Sequence, residues 1–391
     1  MNAVNPSGWR PEAPQSGGGE MPATTTGNRA LMLEEPLLFE IGKRDQTGVD
    51  FEADCSPAKA GALGGAALRP SPEHRLAGLE RSSLNLPGLS EPETVRHYTR
   101  LSRQNYAIDL GLFPLGSCTM KHNPRLNEKL ARLPGFADIH PLQPQETVQG
   151  ALELIDALAH WLVTLTGMDA VAMSPKAGAH GELCGLLCIR AALEARGDAR
   201  SVVLVPESAH GTNPATAAFM GYTVKPIPAK ADGTASVEAV RAALGPDVAA
   251  IMLTNPNTCG LFEREIIEIA AAVHAAGAYF YCDGANFNAI VGKVRVGDLG
   301  IDAMHINLHK TFSTPHGGGG PGSGPVVLSA ALAPYAPLPV FAVDKHTKPG
   351  TALRVLAEHE AAVAGSMHKP FGRLTAFHGQ MGMFVRALAY M

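Results

Sequence analysis

Between residues 145 and 308, short apolar runs alternate with segments whose apolar residues recur at helical spacing. The apolar runs are 170–173, 202–205, 222–227, 249–253, 279–282 and 303–308, and the helical stretches lie near 180–196, 212–220, 236–244 and 263–276. Continuous apolar strands that alternate with helices are typical of a mainly parallel sheet covered on both faces. The pattern therefore predicts an α/β fold in which ligands bind beyond the carboxyl ends of the strands.

The segment ahead of the first strand predicts a long amphipathic helix over 145–166. Val148, Leu152 and Ile155 begin a series of apolar residues at helical spacing, and Gly167 ends it. Shorter helical patterns cover 92–105 and 381–390. Residues 1–30 contain too little aliphatic surface to offset the entropy of ordering, so we predict a disordered tail there. An N-terminal arm and loop region over 31–144 then precedes a large domain over 145–335.

Composition narrows the class of protein. A chain of 391 residues exceeds what one core usually supports, which favours two domains or one large domain with an arm. With a net charge of -4 and no basic run, we expect no nucleic-acid partner. No apolar run is long enough to span a membrane, and the N-terminus lacks the pattern of a signal peptide.

The six cysteines include no C-x-x-C pair, which favours a reducing cytoplasm. Cys184 and Cys188 stand one helical turn apart. Metal pairing is open to them, but buried small apolar residues are the favoured interpretation, and we expect no metal.

Lys310 follows the last apolar run and precedes four glycines, 317–320. A buried lysine loses its charge readily, and its neutral amine can attack an aldehyde such as that of pyridoxal phosphate. An isolated His-Lys pair is more often part of a solvated loop, so the interpretation of Lys310 as a Schiff-base lysine depends on the other strand ends.

Those strand ends carry matching chemistry. After 170–173, the small residues Ala177, Gly178 and Ala179 open a helix whose free N–H groups suit a phosphate. After 202–205 comes His210, an imidazole able to stack on an aromatic ring. After 279–282 come Asp283, which can hold the proton of a pyridinium nitrogen or cap a helix, and Asn286, which could reach the ring's phenolic oxygen. Together with Lys310, this set predicts a site for pyridoxal 5'-phosphate.

From about Leu37 onward, the chain resembles the second, C-terminal-type subunit of glycine dehydrogenase (decarboxylating), the P-protein of the glycine cleavage system. The matching motifs are Tyr106-Ala-Ile-Asp, Pro114-Leu-Gly-Ser-Cys-Thr-Met-Lys121, Ala177-Gly-Ala-His-Gly-Glu-Leu183, Ser208-Ala-His-Gly-Thr-Asn-Pro214, Leu253-Thr-Asn-Pro-Asn-Thr-Cys-Gly-Leu-Phe-Glu263, Tyr281-Cys-Asp-Gly-Ala-Asn286 and Asn307-Leu-His-Lys-Thr-Phe-Ser-Thr-Pro-His-Gly-Gly-Gly-Gly320. The resemblance implies Lys310 as the cofactor lysine, Asp283 on the ring nitrogen and His210 on the ring. It also implies Ala177, Gly178 and His309 near the phosphate.

The resemblance further implies a fold-type I pyridoxal-phosphate-dependent transferase fold and an oxidoreductase of glycine catabolism. The expected reaction is glycine decarboxylation, with release of CO2 and transfer of the aminomethyl group to the lipoyl arm of the H-protein. Its expected partners are glycine, subunit 1 of the P-protein and the lipoylated H-protein, in a heterotetramer. Members usually continue beyond Met391, so residues 336–391 would be the incomplete start of a small, truncated C-terminal domain.

Two alternatives stay open at this point. The chain could be another fold-type I pyridoxal phosphate enzyme, such as an aminotransferase or a cysteine desulfurase, or a truncated non-catalytic subunit. Two local questions are also open. Lys176 places a positive charge beside the predicted phosphate turn and either assists binding or points outward, and glycines 317–320 form either a mobile wall or a tight approach to the cofactor.

Overall fold

The computed structural model describes residues 35–43, 86–105, 107–109, 111, 120–316, 322–343, 353–356 and 368–391. The predicted tail 1–30 and glycines 317–320 lie outside these ranges. By its contacts the chain divides into two units, 1–110 and 111–391. The domain boundaries expected at 144/145 and 335/336 stay predictions.

The N-terminal unit contains helices α1, Leu38–Ile41, and α2, Glu91–Arg103. Helix α2 begins at Ser90, whose backbone N–H and hydroxyl donate to the Glu93 carboxylate at 2.9 and 2.7 Å. The Glu93 side chain thus provides an acceptor for the backbone N–H at the start of the helix. Glu35 lies over the same helix, where it contacts His97 at 2.9 Å and accepts two hydrogen bonds from Arg100.

The larger unit contains nine helices and nine strands among the residues that the structure describes. The helices are α3 Arg125–Ala131, α4 Pro134–Ala137, α5 Gln149–Thr166, α6 Gly178–Ala195, α7 Thr212–Phe219, α8 Val237–Ala243, α9 Ile266–Ala275, α10 Leu308–Thr311 and α11 Met381–Tyr390. The strands are β1 Ala170–Ala172, β2 Val202–Pro206, β3 Thr223–Ile227, β4 Val248–Thr254, β5 Tyr279–Gly284, β6 Ala303–Ile306, β7 Val326–Leu328, β8 Phe341–Val343 and β9 Leu353–Val355.

Seven strands form one sheet in the order β1-β7-β6-β5-β4-β2-β3, and β8 and β9 form a separate antiparallel pair. The pairings from β3 through β6 are parallel, whereas β7 runs antiparallel to both β1 and β6. The predicted α/β fold with a mainly parallel sheet is confirmed. Strand β7 was not predicted.

Two predicted boundaries were wrong. The helix expected over 145–166 begins at Gln149, because a separate turn of 3₁₀ helix occupies Gln145–Thr147 and Val148 leaves helical geometry. The strand expected over 303–308 ends at Ile306, and Lys310 lies within the short helix α10.

Each face of the sheet is covered by its own apolar cluster. On one face, Phe280 and Ile251 pack with residues of α5, α8, α9 and α11. On the other, Tyr281 and Met252 pack with residues of α6 and α7. The alternation of adjacent residues between the two clusters follows from the two-residue period of a strand. Both faces of the sheet are therefore closed to water. A polar ligand can reach the sheet only at the strand ends.

In the described part of the chain, no helix is both long enough and apolar enough to span a bilayer. Cys184 and Cys188 are free thiols that are fully buried against the sheet, as predicted for small core residues.

The core under α5 provides a test of the packing. Leu158 is fully buried, so Leu158→Ala should lower the free energy of unfolding by about 2–5 kcal/mol through lost burial and a residual cavity. Glu153→Ala on the exposed side of the same helix should change it by less than about 0.5 kcal/mol. Denaturant midpoints of the two variants measure the difference, and equal midpoints would contradict the burial of Leu158.

Candidate active site

The predicted site residues follow strands that end at one edge of the sheet. Strands β2, β4, β5 and β6 are mutually parallel, so the segments after them emerge on the same side. Strand β1 shares their direction, since both it and β6 are antiparallel to β7. The loop before β7 joins this edge, where the Gly324 N–H donates to the Pro175 carbonyl at 3.0 Å.

Asp283, within β5, is buried, with only 2% of its surface exposed. Its Oδ1 accepts from the Ala285 N–H at 2.9 Å and lies 3.2 Å from His305 Nε2, while Oδ2 accepts from the Asn213 amide at 3.0 Å. Burial alone would raise the pKa of Asp283, but His305, these hydrogen bonds and the charge of Lys310 together lower it. Asp283 is therefore a buried carboxylate that keeps its negative charge.

His210 lies just before α7, and its ring is held by that helix. Nδ1 lies 2.8 Å from the Thr212 hydroxyl, which donates in turn to Glu182 on α6 at 2.6 Å. The Thr216 hydroxyl donates to the other oxygen of Glu182 at 2.9 Å. The Asn213 N–H donates to the His210 carbonyl at 3.0 Å, so one turn of α7 contacts both His210 and Asp283.

The predicted phosphate turn lies at the start of α6, with Ala177 in extended geometry and Gly178 as the first helical residue. A Cβ built on Gly178 would lie 2.8 Å from Asn307 Oδ1, so a larger residue does not fit between α6 and the end of β6. The Lys176 ammonium lies 4.4 Å from the centre of the Phe377 ring, a cation–π contact. The two roles considered for Lys176 toward a phosphate stay predictions.

Lys310 lies in α10, whose carboxyl end is held from a distant part of the chain. The Lys121 ammonium donates to the His309 carbonyl and, at 2.6 Å, to the Thr314 carbonyl. Ser313, between them, has a φ of +50°, a left-handed conformation that is costly outside glycine. Lys121 thereby fixes the strained turn that follows Lys310.

His309 is a neutral imidazole near Lys121 and Lys310. Burial, and then the charges of His316, Lys310 and Lys121, lower the pKa of His309 to about 3. Nδ1 accepts from the Ser323 N–H at 3.2 Å, and the His316 ring packs edge-on against it with centroids 4.9 Å apart. At neutral pH His309 therefore adds no charge to the site.

Asn286 follows β5, and its amide nitrogen donates to the Pro256 carbonyl at 2.9 Å. That contact connects the loop after β5 to the loop after β4. The role predicted for Asn286 toward a ring's phenolic oxygen stays a prediction.

Several buried polar atoms at this edge have no hydrogen-bond partner within the described ranges. They are Ser174 Oγ, Asn213 Oδ1, Thr254 Oγ1, Asn255 Nδ2, Asn307 Oδ1, Thr311 Oγ1, Thr314 Oγ1 and Ser323 Oγ. Buried groups of this kind normally find a partner, because each one left alone costs about 1–3 kcal/mol. Their concentration at this edge favours a polar ligand there.

Sequence reasoning missed five residues of this site: Lys121, Glu182, Asn213, Tyr281 and His305. All but His305 belong to the motifs quoted above. Their polar side chains within those motifs could therefore have been proposed as site residues from the sequence. His305 interrupts the apolar run 303–306, where it pairs in register with Asp283 of the neighbouring strand.

The sheet order, the helices on both faces and the lysine after β6 define a fold-type I α/β chain of the aminotransferase type. The aminotransferase class-V family matches residues 185–319. At finer level, the chain belongs to the family of glycine dehydrogenase (decarboxylating) subunit 2, as the following relatives show.

Over 364 residues the chain is 46% identical to the relative in Thermococcus onnurineus, covering 93% of this chain and 68% of that protein. Over 367 residues it is 48% identical to the relative in Listeria welshimeri, covering 92% and 70% respectively. The Caulobacter vibrioides protein, named "probable glycine dehydrogenase (decarboxylating) subunit 2", is 65% identical over 370 residues, which cover 94% of this chain and 66% of that protein. The chain thus spans about two thirds of the length of the curated relatives it matches.

Solved structures agree on the fold. The P-protein glycine decarboxylase of the glycine cleavage system, in an inhibitor-bound form, superposes with a TM-score of 0.62 at 22% identity, covering 87% of this chain and 75% of that one. A sphingosine-1-phosphate lyase of Burkholderia pseudomallei superposes with a TM-score of 0.53 at 14% identity, covering 82% and 72%.

The neutral state of His309 predicts a pH dependence of stability. In the unfolded chain its pKa returns to about 6.5, so below that pH the unfolded state binds a proton that the folded state resists. The contribution of His309 is therefore present above about pH 6.5 and lost as the pH falls toward 3, by at most about 1.4 kcal/mol per pH unit.

The measurement compares the free energy of unfolding of the wild-type chain with that of His309→Gln. The advantage of the wild type should shrink when the pH is lowered from about 7 to about 5. His160→Gln, on the exposed side of α5, controls for the loss of an imidazole elsewhere. A wild-type advantage that stays constant over this interval would contradict the burial of a neutral His309.

Proposed function

We propose that this chain binds pyridoxal 5'-phosphate and glycine, catalyses the release of CO2 from glycine, and passes the aminomethyl group to the lipoyl arm of an H-protein. The observation that carries the proposal is that Lys310, just after β6, lies near enough to the buried carboxylate of Asp283 on the neighbouring strand β5 for its charge to lower the pKa of Asp283, in a chain of the glycine dehydrogenase (decarboxylating) subunit 2 family. The named partners are subunit 1 of the P-protein and the lipoylated H-protein, and the assembly is a heterotetramer.

The residues present fit this cofactor. The partnerless polar atoms at the sheet edge suit a ligand rich in donors and acceptors. Lys310 would hold the aldehyde carbon, Asp283 the ring nitrogen and His210 the ring face. The start of α6, at Ala177, Gly178 and Ala179, and His309 would hold the phosphate, and Asn286 the phenolic oxygen.

Pyridoxal phosphate, when bound, supplies a ring that accepts the electron pair of the breaking bond to the glycine carboxylate. Asp283 contributes by keeping a proton on the ring nitrogen, which requires its carboxylate to stay ionised. Its lowered pKa meets that requirement. The ring face of His210 is kept in one orientation by Thr212, which is itself held by Glu182.

His309, being neutral, would contribute a hydrogen bond without adding charge, since its Nδ1 already accepts from Ser323 and its proton is on Nε2. The positive end of α6 and the nearby lysines would then balance the phosphate. We place the activity in the cytoplasm. The free thiols of Cys184, Cys188, Cys259 and Cys282 suit a reducing compartment.

Attachment of the cofactor to Lys310 is the first test. Pyridoxal phosphate added to the purified chain, with its partner subunit, should give the absorption of a lysine-linked pyridoxal. Borohydride reduction and peptide mapping should then place the label on Lys310. Lys310→Ala should abolish the labelling, whereas Lys293→Ala, at an exposed lysine elsewhere, should leave it intact. Label on any other lysine, with Lys310 unmodified, would refute the assignment.

The second test separates glycine decarboxylation from the other chemistries of this fold. With partner subunit and lipoylated H-protein present, the glycine carboxyl should exchange with labelled bicarbonate. Asp283→Asn should lower the exchange rate roughly 100-fold or more while changing cofactor affinity far less, because its charge acts on the reacting state. Asp298→Asn, at an exposed carboxylate, is the matched control.

Transamination or cysteine desulfuration without exchange would favour another fold-type I enzyme. Failure of the wild-type chain to bind the cofactor in the presence of its partner would favour a non-catalytic subunit.

A further inference from the structure

Three buried polar side chains, Tyr281, His305 and Asp283, form a row of close contacts beneath α6. The Tyr281 hydroxyl lies 2.6 Å from His305 Nδ1, and His305 Nε2 lies 3.2 Å from Asp283 Oδ1. None of the three exposes more than 2% of its surface. A row so fully removed from water must satisfy its hydrogen bonds internally, which restricts where its protons can lie.

The backbone imposes this arrangement. Tyr281 and Asp283 are two residues apart on β5 and so share a face, and His305 pairs with Asp283 across the parallel β5–β6 ladder. The Tyr281 and His305 rings stack with centroids 6.1 Å apart and planes 27° from parallel.

Helix α6 leaves room for the two rings through glycines on one side. A Cβ on Gly181 would lie 2.6 Å from the His305 Cβ, and a Cβ on Gly185 would overlap the Tyr281 ring. Gly181 and Gly185 are four residues apart, so they lie one above the other on the helix. The backbone of α6 therefore packs directly against both rings.

The direction of the hydrogen bonds follows from chemistry. Burial raises the pKa of Tyr281 well above its usual range, so the phenol keeps its proton and donates it to His305 Nδ1. An imidazole that accepts at Nδ1 carries its proton on Nε2, and Nε2 faces a carboxylate that can only accept.

We propose that His305 is a positioning residue: a neutral imidazole, fixed as its Nε2–H tautomer by Tyr281, that donates to Asp283 and holds that carboxylate in one orientation. His305 thus joins the Ala285 N–H on Oδ1, while Oδ2 faces Asn213. The consequence that Asp283 is thereby aimed at a pyridine nitrogen rests on the proposed function. The assignment of the His305 tautomer is independent of that function.

The test is the ring-nitrogen spectrum of His305 in the full chain labelled with 15N-histidine, without cofactor, assigned with His305→Gln. We expect one pyrrole-like and one pyridine-like nitrogen, with the proton on Nε2. His274, half-exposed and bonded to Asp302, is an internal reference that should titrate in the same spectra with a raised pKa. Two protonated nitrogens on His305, or a proton on Nδ1, would overturn the proposal.

Tyr281→Phe removes the hydroxyl and keeps the ring. Without its donor, His305 Nδ1 is left alone in a buried site, so the ratio of Nε2–H to Nδ1–H tautomer should fall roughly 5-fold or more. Tyr279→Phe removes a hydroxyl from the same strand, away from His305, and should leave the spectrum of His305 unchanged. A Tyr281→Phe spectrum identical to that of the wild type would show that Tyr281 does not fix the tautomer.

A cofactor experiment separates this inference from the proposed function. Pyridoxal phosphate labelled with 15N in the ring is added to the wild-type chain and to Tyr281→Phe, each with its partner subunit. A protonated ring nitrogen in the wild type, with partial loss of that proton in Tyr281→Phe, supports both the proposed function and the positioning role of His305. A wild-type chain that never binds the label refutes the function and leaves the tautomer of His305 to stand or fall on its own spectrum. An equally protonated ring in both chains overturns the link between Tyr281 and the ring.

Discussion

The site depends on a buried negative charge, the carboxylate of Asp283. Removing a carboxylate from water is expensive, and only close donors and opposite charge can offset the cost. Here two donors come from the following loop and from α7, through Ala285 and Asn213, and His305 of β6 lies 3.2 Å from the same carboxylate. Each of these three residues lies on a different element. The pairing of β5 with β6 and the position of α7 must therefore both be correct before the fold can bury the charge of Asp283.

Helix α6 has two roles at this site, and both require small residues that weaken the helix itself. Its first turn must offer free N–H groups at the sheet edge, and its body must cover Tyr281 and His305 closely. Glycine weakens a helix by about 1 kcal/mol at each position relative to alanine, yet Gly178, Gly181 and Gly185 all face the sheet edge or these rings. The same helix recovers packing further along, where Leu186, Ile189 and Leu193 are fully buried. Helix stability is therefore lowered near the site and restored away from it.

Much of this arrangement could be predicted from the sequence, and the rest could not for identifiable reasons. Apolar runs give parallel strands, and parallel strands gather their following residues at one edge, so Lys310 and Asp283 could be placed in one site. Strand β7 has only three residues, Val326–Leu328, after a glycine-rich stretch, too short a run to separate from a loop. His305 was hidden within an apolar run, because its role depends on the register with Asp283, and register is a tertiary property.

Lys310 itself lies on a helix of four residues, too short to be stable by its own hydrogen bonds. The carbonyls at its end need donors, and the turn after it places Ser313 in a left-handed conformation. Lys121 donates to His309 and Thr314 at that point, and Asn123, with its amide nitrogen facing them, reaches the carbonyls of Ser313 and Thr314 at 3.1 and 3.2 Å. The segment at 121–123 and the turn at 309–314 are therefore two parts of one local structure. The position of Lys310 depends on both, just as the charge of Asp283 depends on the strand and helix beside it.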